Sequence, residues 1–180
     1  MRRFLLSFLV IVASLNCFSQ SKDFSMAEYN LIALYSKISR FASEEDNVEN
    51  NKIFMQMLDS VLKIPESFHY SFNDLKMGKV TAPDETFKIF TWFMVHVDGT
   101  YETFGLLQRY DKSTNKVKVY KLVDCASSMK DPMMANCTDK YWYGATYYEI
   151  RQEKYDGVST YILLGWRPNT IYTQKKVIET

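Results

Sequence analysis

The sequence predicts an α+β domain: an N-terminal helical hairpin packed on a mostly antiparallel, meander-type, twisted β-sheet of about six strands. Two observations carry that expectation. Apolar residues recur at helical spacing only between positions 24 and 63, whereas from 87 onward short aromatic and β-branched runs alternate with turn residues. The separators, Asp98-Gly99, 111–115 and Asp156-Gly157, are short enough to demand antiparallel neighbours.

The first segment is an address rather than structure. Arg2 and Arg3 precede an apolar run from Phe4 to Leu15, and Asn16 to Gln20 is polar. The run is too short to span a bilayer and has the charge layout of a secretory leader, so residues 1–20 are expected to be a cleaved signal peptide. A rival reading is lipid attachment at Cys17, although Ser14-Leu15-Asn16 is a poor lipoprotein box. The expected location is the periplasm or the extracellular space, with no transmembrane span in the mature chain.

Residues 21–64 form the predicted hairpin. Phe24, Ala27, Leu31, Leu34, Tyr35, Ile38, Phe41 and Ala42 make one stripe over 24–42. Ser43-Glu44-Glu45-Asp46-Asn47 then opens a second helix, because acidic residues suit the positive end of the helix dipole. Its apolar side carries Val48, Phe54, Met57, Leu58, Val61 and Leu62, and Pro65 ends it.

Residues 65–180 form the predicted sheet segment of the same domain. Phe68, Tyr70 and Phe72 alternate and suggest a short strand before the Ala82-Pro83-Asp84-Glu85 turn. Residues 87–97 read as a strand apolar on both faces, with Phe87, Ile89, Phe93, Val95 and Val97 against Phe90, Trp92 and Met94. Residues 100–110 and 116–123 complete a meander. The run 141–150 reads as a central strand, with Trp142, Gly144, Thr146, Tyr148 and Ile150 on one face and Tyr143, Ala145, Tyr147 and Glu149 on the other. Residues 158–166 return from it, and 171–178, with Lys175 and Lys176, fits an edge available for pairing with another chain.

Composition excludes whole classes of partner. The formal net charge is +1 for 180 residues, and loss of the leader with its two arginines moves it to −1. No basic stripe exists, so neither nucleic acid nor an anionic membrane surface is an expected partner. Cys125 and Cys137 remain after cleavage, and in an oxidising compartment they are expected to form a disulfide across the Met-rich loop 126–136.

The signal ending in Phe18-Ser19-Gln20, the turn Ala82-Pro83-Asp84 before Phe87-Lys88-Ile89-Phe90-Thr91-Trp92, the block Trp142-Tyr143-Gly144-Ala145 and the triplet Leu164-Gly165-Trp166 resemble exported, uncharacterised proteins of Bacteroidota. The resemblance covers most of the mature chain. It implies an origin and a compartment but no activity, because the shared residues are packing residues. Those relatives run on past the position of Thr180, so a shortened member is the expectation.

Catalytic signals are few. His69 and His96 are the two histidines; His96 shares a strand face with Asp98, an arrangement that can orient an imidazole. A secreted hydrolase using Cys125 or a carboxylate with His96 is therefore the alternative function, and Glu102 and Glu149 are candidates for a glycosidic carboxylate pair only in that they sit inside strand patterns. No metal-ligand spacing, phosphate-binding glycine loop or Gly-x-Ser-x-Gly elbow occurs, so no catalytic residue, metal or cofactor is assigned. The aromatic surplus favours binding: Tyr141, Tyr143, Tyr147, Tyr161 and Trp166 could line a platform for a glycan or an envelope protein. The leading expectation is an exported, non-catalytic binding or structural module.

Overall fold

The computed structural model of the protein describes residues 24–38, 42–170 and 172–180. The leader, Cys17, and Phe41 of the first apolar stripe lie outside them. Among the described residues, two helices precede seven strands, which form two antiparallel sheets. Helix α1 covers residues 24–35, and α2 covers Glu44–Leu62. Strands β1 (Gly78–Thr81), β2 (Phe87–Val95), β3 (Tyr101–Asp111) and β4 (Lys116–Val123) make the first sheet, in that order. Strands β5 (Thr146–Tyr155), β6 (Val158–Pro168) and β7 (Gln174–Glu179) make the second.

Local chemistry explains the element ends. Ser43 caps α2, its hydroxyl accepting from the Asp46 amide at 3.1 Å, and Glu44, Glu45 and Asp46 fill the first turn. Asp156 and Gly157 have φ of 49° and 77°, the pair of positive values that a tight β5–β6 hairpin needs to match strand twist. Asp98 accepts from the Thr100 amide at 2.9 Å in the β2–β3 turn.

The layers follow from alternation along β2. Phe90, Trp92 and Met94 turn toward the helices and join Phe54, Leu58, Leu62 and Leu31 with Phe104 and Leu106 of β3. Ile89, with Phe87 alongside, turns the opposite way and meets Tyr147, Ala145 and Val177 of the second sheet and its approach. Strand β2 is thus covered on both faces, which is why its sequence is apolar on both. The Phe54 ring stands edge-on to Trp92 at 5.1 Å, a geometry that adds about 0.5–1.5 kcal/mol beyond area burial.

Three expectations are corrected. The Phe68, Tyr70, Phe72 alternation is not a strand: Pro65–His69 is a 3-10 turn, and Phe72 has a φ of 49°. The strand of this region is β1, further on. Exposed Val48 does not lie on the buried side of α2, where Asn47 and Asn51 take inward positions instead. The strands, seven in two sheets among the described residues, agree with the expected α+β class and its count of about six. Finally, residues 141–145 are not part of the aromatic strand. Gly144 has a φ of 82°, and the β5–β6 register shifts between Tyr147 and Glu149. Gly144 lies between Trp142 and Tyr147 and breaks the period of two there, so the two meet instead of facing apart, the indole N–H donating to the Tyr147 hydroxyl at 2.7 Å.

Candidate functional site

An open cavity of about 390 Å³ lies between the two sheets. Ile89 of β2, Leu107 of β3, Tyr120 and Leu122 of β4, Trp142 and Leu163 supply its walls. Ile89, Leu122, Trp142 and Tyr147 are buried, whereas Arg109, Cys137, Thr138 and Thr180 are exposed and rim the mouth. Strand alternation supplies the wall: Leu107 pairs with Tyr120 and Gly105 with Leu122 across β3–β4, so their side chains share the face opposite the helices.

Along one wall, three polar side chains form a one-way relay. The Trp142 indole can only donate, and it donates to the Tyr147 oxygen. The Tyr147 hydroxyl proton therefore points onward, to Glu179 Oε2. Burial raises the Glu179 carboxyl above the ordinary carboxylate range, while the bonds from Tyr147 and Trp142 pull it back. Burial, with the Glu179 charge and hydrogen bond adding to it, also holds the Tyr147 hydroxyl neutral. The second oxygen, Glu179 Oε1, is buried and has no hydrogen-bond partner among the described residues.

The five platform residues do not share one exposed face. Tyr147 is in the core at 1% exposure and contributes to the cavity floor. Tyr143 is half-buried with the Arg167 guanidinium over its ring. Tyr161 sits edge-on to Phe87, its hydroxyl donating to Asp84 at 2.6 Å. Trp166 packs on Phe93 with ring centres 5.3 Å apart. Tyr141 alone of the five is classed as exposed, and it bridges to Thr138.

The cysteines are also not as expected: both are free thiols. Cys125 Sγ is directed to the Lys140 carbonyl at 3.6 Å, while Cys137 lies at the cavity mouth, so each thiol is engaged by different surroundings. Burial and then the Glu179 charge raise the Cys137 thiol above its usual range, which opposes a thiolate nucleophile. His96 does not meet either thiol or Asp98 through its ring. Its Nδ1 contacts Glu44 at 2.5 Å at the start of α2, and its Nε2 lies 3.7 Å from Glu102.

Sequence reading missed Glu179, which carries the polar end of the cavity. One signal was present: in β7 it lies two residues beyond Val177, which is buried in the inter-sheet core, and period two puts both on one face. Comparison with protein-family models, curated proteins and solved structures finds no match to the chain. Among the described residues, no helix is long and apolar enough to cross a membrane, and no group of side chains could hold a metal ion.

Proposed function

We propose that the protein is an exported, non-catalytic binding module whose ligand occupies the cavity between the sheets. The observation that carries this reading is a largely apolar, open cavity of about 390 Å³ whose lining includes the hydrogen-bonded Trp142, Tyr147 and Glu179. Small-molecule sites have this character and span about 300–1,000 Å³. The leader-like N-terminus supports export, and it places the ligand among envelope or extracellular molecules. The hydrolase alternative has less support, since His96 is engaged by Glu44 and the Cys137 thiol is held toward its neutral form.

The test is native against denaturing mass spectrometry of protein isolated from its own envelope, beside a Leu107→Trp variant that fills the chamber. A bound small molecule at near one per chain, lost from the variant, is the expected result. A bare polypeptide mass that also fails to bind an apolar fluorescent probe would refute the reading.

A second reading rests on the free side of β7. That edge, with Pro132, Met133, Asn136 and Tyr143 opposite, borders a groove of about 500 Å³ that includes Lys175 and Lys176. An added strand from another chain would satisfy its backbone groups. A monomer by light scattering at micromolar concentration would remove pairing with a second copy.

A further inference from the structure

We propose that a pocket on the helix side of the first sheet, between Lys79 of β1 and Lys88 of β2, binds a tetrahedral oxyanion: a phosphate or a sulfate, free or carried on a larger molecule. The pocket lies on the opposite face of β2 from the inter-sheet cavity and does not depend on that reading.

Strand register builds the pocket. Thr81 pairs with Lys88 and Lys79 with Phe90, so Lys79, Thr81 and Lys88 project from the same face as Phe90, which joins the helix-side core. Those three residues, with Ser71 and Asn73 from the segment after the 3-10 turn, line a space of about 300 Å³. Both lysines are half-buried, while Ser71, Asn73 and Thr81 are exposed, so the pocket is open to solvent.

Two like charges share this space with no counter-charge in contact. Lys88 Nζ donates to the Tyr70 carbonyl at 3.0 Å, and Lys79 Nζ donates to the Phe72 carbonyl. An ammonium has three donors, so each lysine keeps donors beyond the one that holds the 70–73 segment. Neither lysine forms an ion pair among the described residues. The carboxylates that act on them from a distance have other partners or lie in water. Glu28 accepts from the Tyr70 hydroxyl and from the Asp74 and Leu75 amides, Glu85 pairs with Lys112, and Asp74 is exposed. Burial lowers both lysines from their ordinary value, and at Lys88 the Lys79 charge adds to it. An anion in the pocket would face both charges and oppose that effect.

The placement of the donors selects the shape of the anion. The two ammonium groups come from the sheet, and the Ser71 hydroxyl and Asn73 amide come from the segment that crosses it. A carboxylate presents its two oxygens in one plane, whereas a phosphate or sulfate presents oxygens to both walls at once. Lysines serve such groups as point charges, through charge-assisted hydrogen bonds.

Amide NMR of the full mature chain, titrated with phosphate, sulfate, acetate and a hexose phosphate in a chloride buffer of constant ionic strength, tests the assignment. Phosphate and sulfate should shift the Ser71, Asn73 and Thr81 amides and bind more tightly than acetate. Lys79→Met and Lys88→Met should each weaken phosphate binding about tenfold or more, the loss of one charge-assisted hydrogen bond. Their thermal transitions are recorded to show that they fold, and if either does not, the shift pattern of the unsubstituted protein decides. A hexose phosphate that binds more tightly than phosphate supports the oxyanion as a substituent of a larger molecule; equal or weaker binding supports the free ion. Acetate binding as tightly as phosphate and sulfate overturns the tetrahedral assignment. Shifts centred elsewhere, affinity unchanged in both folded variants, or no binding of any oxyanion overturns the site.

Discussion

Replacing Arg167 with methionine tests what clamps the two sheets together. Arg167 Nη1 at the end of β6 lies 2.7 Å from Asp124 Oδ2, 3.0 Å from Thr103 Oγ1, 2.9 Å from the Tyr143 carbonyl and 3.1 Å from the Gly144 carbonyl. Two hydrogens serve four acceptors, so the positive charge matters more than any single bond. The Arg167 and Asp124 side chains are only 13% and 7% exposed. Breaking a buried pair on one side costs about 3–5 kcal/mol, because the remaining charge is stranded. Asp124 would keep the Thr103 and Ala126 amides as donors, which puts the expected loss near the lower end, about 3 kcal/mol. For a domain of this size, about 2–4 °C in Tm accompanies each kcal/mol. Chemical denaturation of Arg167→Met, Asp124→Asn and the double variant forms the assay. The double variant should be less destabilised than the sum of the singles by about 1 kcal/mol or more. A single-variant loss below about 1 kcal/mol, or strict additivity, would refute the clamp.

Other outcomes follow from the same structure. Asn51→Ala leaves the buried Trp92 indole N–H, now 2.7 Å from Asn51 Oδ1, without its acceptor, and should cost about 1–3 kcal/mol in urea unfolding; a neutral result would mean that water replaces the amide. Gly144→Ala should destabilise strongly, because a Cβ there would lie 2.1 Å from Arg167 Nη1 and 2.8 Å from Asp124 in a backbone of positive φ; an unchanged Tm would show that the 143–145 segment can relax. Two carboxyls should give opposite pH dependences. The His96 hydrogen bond, then the Val97 amide, hold Glu44 below the usual range, so its contribution is present above the unfolded value and is lost as pH falls through the folded one. Glu179 is raised by burial, so its contribution is present at low pH and is lost as pH rises from the unfolded value through the folded one. Glu44→Gln and Glu179→Gln should each remove one limb of the stability profile, and identical profiles would count against both assignments. A thiol titration under non-reducing conditions should count Cys125 and Cys137 as reactive, with Cys137 slow near neutral pH because its thiol is raised; no reactive thiol would restore the disulfide.

The limits of sequence reading are clearest at three positions. Ser43, Pro65 and the Asp98-Gly99 and Asp156-Gly157 pairs act on their own neighbours, so the helix start and stop and the tight turns were legible. Asn51 and Gln108 were not. Their inward positions depend on partners about 40 residues or more away in the chain: the Trp92 indole for one, and the Leu62 carbonyl and Ser67 hydroxyl for the other. Glu179 was hidden in the same way, since a Glu in an edge strand ordinarily faces water and only the Tyr147 hydroxyl marks it as inward.

The sequence by itself determined the α+β class, the order of helices before strands and the antiparallel pairing, because capping, period and turn length act over a few residues. It also showed that β2 is apolar on both faces. Only the tertiary structure decided what covers those faces: helices on one side and a second sheet on the other. It also decided that Trp142 and Tyr147 meet. A positive φ at Gly144, between the two, breaks the expected alternation, and the Asp124 and Arg167 side chains lie close against that glycine. Residue chemistry specifies what each stretch prefers; contacts across the chain choose which preference is satisfied, and among the described residues they leave one Glu179 oxygen without a hydrogen-bond partner.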